Sequence, residues 1–209
     1  MSKILYLHGQ MRILHLSDTH CQHYLLQNLP DADIIVHSGD ISLAGSEEEV
    51  IAFIEWFVSL PYKYKIFIAG NHDDCLYGAN LEGLPDNCFY LCNSGVTIEG
   101  VNFYGMPLFM GDFVSGDYDS NVQKIPHNTD VLITHQPPHG ILDFASNTHY
   151  GDILLLQKVL EIKPTYHLFG HIHDAYGKVT NKHTTFVNAS IVDENYQLSN
   201  KPVLLELVE

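Results

Sequence analysis

Arginine is almost missing from this chain. Arg12 is the only one in 209 residues, and Lys and Arg together number 10 against 25 Asp and Glu, a formal net charge of −15. A protein that grips DNA or RNA needs such cations to displace counterions from the phosphates, so long nucleic acid is not an expected partner. The same deficit removes the basic patch that would hold the chain on an anionic membrane, and no apolar run reaches the length of a spanning helix, so no membrane association is expected. Cysteine is scarce too. Cys21, Cys75, Cys88 and Cys92 contain no C-x-x-C pair and read as free thiols of a reducing compartment, which places the protein in the cytoplasm. Residues 1–10 (MSKILYLHGQ) have neither the apolar core nor the small-residue cleavage site of a signal peptide, and MRILHLSD from Met11 reads as the first strand. Residues 1–10 are therefore set apart as an extension without assigned function, and 11–209 are taken as one domain.

Histidine, by contrast, is plentiful: the 14 histidines outnumber all lysines and arginines, which points to metal rather than polyanion binding. Apolar, β-branched runs ending in polar clusters recur at 12–17 (RILHLS), 33–38 (DIIVHS), 65–69 (KIFIA), 130–134 (DVLIT) and 166–169 (YHLF), and predict buried strands. Between the second and third runs, SEEEVIAFIEWFVSL has a Ser46/Glu49 capping box and Val50, Phe53, Ile54 and Phe57 at helical spacing. Residues 152–162 predict a second helix, closed by Pro164. Residues 96–104 read as a hairpin bent at Glu99-Gly100, and the tail from Gly177 alternates like further antiparallel strands. The least patterned stretch, 112–127, is expected to be a surface loop. Strands alternating with helices, then strands alone, imply a mixed α/β protein with more than one sheet.

Each predicted strand ends in metal-ligating chemistry: Asp18-Thr19-His20, Gly39-Asp40, Gly70-Asn71-His72-Asp73, Thr134-His135 and Gly170-His171-Ile172-His173. Ligands collect at strand carboxyl ends because loops converge there, and residues i and i+2 of an extended segment face the same side. Asp18 with His20, and His171 with His173, can thus aim at one point. Adding Asp40, Asn71 and His135 gives seven ligands, too many for one tetrahedral ion and enough for two that share a bridging carboxylate. The glycines before Asp40, Asn71 and His171 are expected to let the backbone turn sharply.

The ordered set Asp-x-His, Gly-Asp, Gly-Asn-His-Asp, Thr-His-x-Pro-Pro and Gly-His-x-His resembles the calcineurin-like metallophosphoesterase superfamily. KIFIAGNHD (65–73), THQPPHG (134–140), HLFGHIHDAYG (167–177) and TFVNAS (185–190) are similar in particular to its class III cyclic-nucleotide phosphodiesterase-like branch. The resemblance implies an α/β fold, a four-layer α/β/β/α sandwich of two mixed sheets. It also implies that Asp18, His20 and His173 hold one metal, that Asn71, His135 and His171 hold the other, and that Asp40 bridges. His72 is then the candidate general acid, oriented by Asp73. Asn71, His72 and His139 are the candidate substrate contacts.

Two divalent cations, two carboxylates and one bridging hydroxide leave such a centre at roughly +1, so metals do the work of the missing arginines and supply hydroxide for in-line attack. Manganese is the first expectation, with iron, zinc, magnesium, nickel and cobalt as the other ions the donors accept. The expected substrate is a small phosphodiester, a cyclic nucleotide by resemblance. A phosphomonoesterase and a metal-dependent nucleotide-binding scaffold with little turnover are the alternatives. His15, His37, His127, His167 and His183 read as ordinary core or surface residues, and Asn188 as a buried turn residue. Phe113, Tyr118 and Tyr150 are loop aromatics that could stack on a nucleobase. Nothing in the sequence sets an oligomeric state.

Overall fold

In the computed structural model, residues 11–207 are described; the 1–10 extension lies outside the described residues. The elements in chain order are β1 (Met11–Leu16), β2 (Ile34–His37), α1 (Glu47–Ser59), β3 (Tyr64–Phe67), β4 (Cys88–Tyr90), β5 (Ser94–Ile98), β6 (Val101–Met106), α2 (Met110–Ser115), α3 (Asp117–Lys124), β7 (Val131–Thr134), β8 (Phe144–Ala145), β9 (Thr148–His149), α4 (Ile153–Ile162), β10 (Tyr166–Phe169), β11 (Gly177–Thr180), β12 (Thr185–Asn188) and β13 (Val203–Leu207). One sheet has the order β13-β1-β2-β3-β4 and the other β11-β12-β10-β7-β6-β5. Both are mixed: β1 to β4 run parallel with β13 antiparallel at the edge, and β12, β10, β7 and β6 run parallel between antiparallel β11 and β5.

The period-two alternation of the strands builds the layers. Ile13, Ile34, Val36 and Ile66 of the first sheet meet Phe103, Val131, Ile133 and Leu168 of the second in one buried cluster between the sheets. The alternate residues face outward. Leu14, Ile35 and Phe67 pack under Val50, Phe53 and Phe57 of α1, while Leu132, Phe169 and Phe186 pack under Val122 of α3 and Leu155 and Val159 of α4. The result is the expected α/β/β/α sandwich. A parallel bridge, Ser17 to Ser190, ties the two sheets where β1 and β12 end (Ser17 N–H to Ala189 C=O 3.0 Å, Ile191 N–H to Ser17 C=O 3.1 Å).

The helix signals act as expected, with one variation. The Ser46 hydroxyl accepts from Glu49 N–H (3.3 Å), but the Glu49 carboxylate accepts from Ala44 N–H (2.9 Å) and Leu43 N–H (3.3 Å), pinning the loop that precedes the helix. Asp152 caps α4 by accepting from Leu155 N–H (2.6 Å). Asp152→Ala is expected to lower stability by about 1 kcal/mol, a fall of about 2–4 °C in Tm that differential scanning calorimetry reads directly.

The expected loop at 112–127 is not a loop. It carries the end of α2 and all of α3, joined at Gly116 (φ +83°), and Tyr118 and Val122 are buried against α4. Within α3 these are the only two apolar residues, a pattern too sparse to read. The tail strands are also not uniformly antiparallel: β12 pairs antiparallel with β11 but parallel with β10.

Candidate metal centre

Five parallel strands, three of the first sheet and two of the second, deliver all seven expected ligands to one edge. Asp18 and His20 follow β1, Asp40 follows β2, Asn71 follows β3, His135 follows β7, and His171 and His173 follow β10. Ligand atoms of Asp18, His20 and His173 lie within 4.8 Å of one another, and so do those of Asp40, His135 and His171. Asp40 joins the two sets. Its Oδ2 lies 3.6 Å from His20 Nε2 and 3.3 Å from His135 Nε2, while its Oδ1 accepts from His72 N–H (2.9 Å).

The ring nitrogens are sorted by their second partners. Carbonyl oxygens only accept, so Nδ1 carries the proton in His20 (Ser42 C=O, 3.1 Å), His135 (Ser38 C=O, 2.8 Å), His173 (Asp193 C=O, 3.0 Å) and His72 (Leu43 C=O, 2.9 Å). Each Nε2 is thereby left to the centre, the orientation a metal-binding histidine requires. Asn71 Oδ1 and His135 Nε2 are among the buried side-chain atoms without a hydrogen-bond partner, and His20 Nε2 faces His173 Nε2 at 3.4 Å. An unpaired buried polar atom needs an explanation, and these two belong to predicted donor residues. The donor set fits divalent cations.

The electrostatics agree. Burial alone would push Asp18 up, yet the His173 hydrogen bond and the neighbouring imidazoles hold it well below the usual carboxylate range. Burial would likewise lower His135, but Asp40 and Asp18 push it up to about 9. A pair of buried carboxylates is keeping positive charge in the site, which is what a cation would satisfy. Four predicted ligands, Asp18 (φ +56°), His20 (+39°), Asp40 (+55°) and His171 (+70°), hold left-handed backbone conformations. Such strain persists only where the surroundings enforce it. Of the three glycines, Gly39 turns at φ +101° as expected, but the role of the other two is corrected: Gly70 and Gly170 have no left-handed φ, and they are needed because a Cβ would collide with the carboxylates of Asp40 and Asp18.

Asp73 does not orient His72. Its buried carboxylate accepts from Gly70 N–H (2.8 Å), Ile41 N–H (3.1 Å), Ser42 N–H (2.8 Å) and the Ser42 hydroxyl (2.7 Å), so it ties the β2 and β3 loops together. Burial and the charge of Asp40 push it up to about 6. The His72 ring is held by Leu43 instead. His139 stands outside the lining of the cleft, its Nδ1 facing Gly151 C=O (3.2 Å) and its ring near His149. Of the loop aromatics, Tyr150 lines the cleft, whereas Phe113 stacks on buried Tyr118 at 4.2 Å.

Ser190 and Asn188 support the centre from beneath. The Ser190 hydroxyl donates to Asp18 Oδ2 (2.7 Å), and Asn188 Nδ2 donates to Ile172 C=O (2.8 Å) on the loop carrying His171 and His173. The sequence signal is TFVNAS itself, whose polar residues end a buried strand. The cleft over the centre has a volume of about 270 Å³ and is lined, besides ligand-type residues, by Ala145, Tyr150, Ile172, Asp174, Glu194 and Tyr196, with no lysine or arginine among the described residues. Among the described residues no helix is long and apolar enough to cross a membrane.

A family model described as calcineurin-like phosphoesterase matches residues 11–175. The chain is 37% identical to metallophosphoesterase domain-containing protein 1 of Homo sapiens, covering 95% of this chain and 72% of the relative. It is 35% identical to a UPF0046 protein of Caenorhabditis elegans, covering 93% and 74%. Among solved structures, TT1561 of Thermus thermophilus superposes with a TM-score of 0.64 at 14% identity, over 87% of this chain and 90% of that one, a likeness of fold.

Proposed function

Because the chain belongs to the calcineurin-like phosphoesterase family of metal-dependent phosphoester hydrolases, we propose that it is a dinuclear-metal phosphodiesterase of small phosphodiesters, cyclic nucleotides above all. The observation that carries the dinuclear reading is the place of Asp40 Oδ2 between His20 of one donor set and His135 of the other. Asp18, His20 and His173 would hold the first cation and Asn71, His135 and His171 the second, with Asp40 available to both. When bound, two divalent cations supply Lewis-acid neutralisation of the phosphate and a hydroxide nucleophile at neutral pH. Manganese suits the carboxylate and amide oxygens of this set, and zinc, iron and nickel suit its imidazoles.

The remaining chemistry belongs to His72. Its Nδ1–H is committed to Leu43 C=O at 2.9 Å, so Nε2 is the nitrogen free to serve the cleft it lines. In its protonated form His72 hands the Nε2 proton to the departing alkoxide. The backbone holds it in reach through His72 N–H to Asp40 Oδ1, which couples the acid's position to the bridging carboxylate. His72→Ala is expected to keep its metal and lose about 100-fold in kcat on substrates with alkoxide leaving groups. Loss should be small for a nitrophenolate leaving group, which needs no proton. A panel of 2′,3′- and 3′,5′-cyclic nucleotides with aryl mono- and diesters, run with Mn²⁺, tests the assignment; activity confined to monoesters would overturn it.

A further inference from the structure

Residues 193–197 form a turn that has no place in the donor sets. Its frame is tied internally: Asp193 N–H donates to Gln197 C=O (2.9 Å), Tyr196 N–H to Asp193 C=O (2.9 Å), and Asp193 Oδ1 accepts from the N–H groups of Asn195 (2.9 Å) and Gln197 (3.0 Å). It is fastened to the centre as well, since Asp193 C=O accepts from His173 Nδ1 (3.0 Å) and Gln22 Nε2 donates to Tyr196 C=O (2.7 Å). These bonds hold Tyr196 at φ +57°, a left-handed conformation that a tyrosine adopts only when its surroundings impose it. The ring is thereby set edge-on to His20 (centroids 4.7 Å apart) and His173 (5.3 Å), and 6.3 Å from His72. Glu194, on the same turn, lines the same cleft, with Asp174 and Tyr150.

We propose that this turn is the specificity element of the cleft. It admits phosphodiesters that carry one negative charge and a flat organic substituent, which packs on the Tyr196 ring, and it disfavours phosphomonoesters through the charge of Glu194. The inference rests on the diesterase reading above. Near neutral pH a monoester carries close to two negative charges, because its second pKa is about 6. The cations attract both classes, so discrimination falls to the rim, where Glu194 and Asp174 stand with no lysine or arginine among the described lining residues to offset them. An aromatic ring held rigid before substrate arrives adds stacking area without an ordering cost.

The test uses the full chain loaded with Mn²⁺, as wild type, Glu194→Gln, Tyr196→Leu and Tyr196→Phe, with 2′,3′-cyclic AMP and adenosine 3′-monophosphate as substrates. Glu194→Gln is expected to shift the monoester-to-diester ratio of kcat/KM about fivefold toward the monoester at low ionic strength, and less at high salt. Tyr196→Leu is expected to raise KM for the cyclic nucleotide about tenfold with a much smaller change in kcat, and Tyr196→Phe to restore it. A ratio unmoved by Glu194→Gln overturns the proposal. So does loss of metal from Tyr196→Leu by elemental analysis, which would make the ring a strut for His20 and His173. If the wild type cleaves no diester, the diesterase reading fails separately. Calorimetric binding of the same two nucleotides then reads the turn, and equal relative affinities in wild type and Glu194→Gln overturn it.

Discussion

Asp40→Ala is expected to yield a folded protein that holds no metal pair and has lost phosphoesterase activity. The reason is that one carboxylate serves three partners. Oδ2 stands between His20 Nε2 and His135 Nε2, and Oδ1 receives His72 N–H. Removing it takes the shared donor from both sets, a buried negative charge from beside His135, and an anchor from the backbone of the candidate acid. The fold itself should survive, because Asp40 opposes as well as supports: its charge is one of the causes that raise buried Asp73. Loss of an outer partner of a ligand typically costs about 10–100-fold in metal affinity or activity, and loss of the bridge should exceed that. Asp40→Asn isolates the charge, since it keeps the volume and the Oδ1 acceptor. Elemental analysis and kcat/KM read both variants, and two metals per chain in Asp40→Ala would refute the bridge.

Much of this is legible in the sequence because two independent patterns coincide. Strand alternation identifies β1, β2, β3, β7 and β10, and the donors follow directly at their carboxyl ends, where chain connectivity alone brings them together. What sequence cannot show is decided by contacts between distant segments. Asp73 follows His72 in sequence, which suggests a local partnership. The structure gives its carboxylate instead to backbone N–H groups of Ile41 and Ser42, about thirty residues away. Gly170 is expected to let the backbone turn, but its need is steric and arises from Asp18, which follows a strand of the other sheet. Tyr196 and Glu194 carry no periodic signal, since a five-residue turn has none, and their place in the cleft depends on the bond from His173 to Asp193. Helix α3 escapes a sequence reading because Tyr118 and Val122 are a single i, i+4 pair whose partner surface on α4 lies outside the local window.

In metal-free protein, stability should fall steeply as the pH drops below about 6, through His15, His37 and His167. All three are fully buried, and burial lowers each pKa to about 3. The hydrogen bonds explain why no second proton fits. Thr134 Oγ1 donates to Gln136 C=O (2.6 Å), so it accepts from His167 Nε2–H (2.9 Å), and His167 Nδ1 is buried without a partner, as is His15 Nδ1. His37 Nδ1 faces the N–H of Gly39 (3.3 Å), so a proton there would set two donors head-on. The folded state therefore refuses protons that the unfolded chain accepts near its ordinary imidazole pKa of about 6.5. The stability these groups give is fully present above that value and is lost as the pH falls toward about 3. Each contributes about 1.4 kcal/mol per pH unit, about 4 kcal/mol for the three, against a typical total of about 5–15 kcal/mol. Unfolding by about pH 4–5 follows. His135, pushed up to about 9, does not offset this, because below about 6 it is protonated in both states. Buried His171, lowered to about 4, adds one proton in the same sense, and Asp73, raised to about 6, takes one back because it is protonated first in the folded state. Urea unfolding in EDTA across this range measures the slope, expected at about three protons net. His167→Gln should remove about one of them, and a wild-type slope under one proton would show that the three histidines are not held neutral.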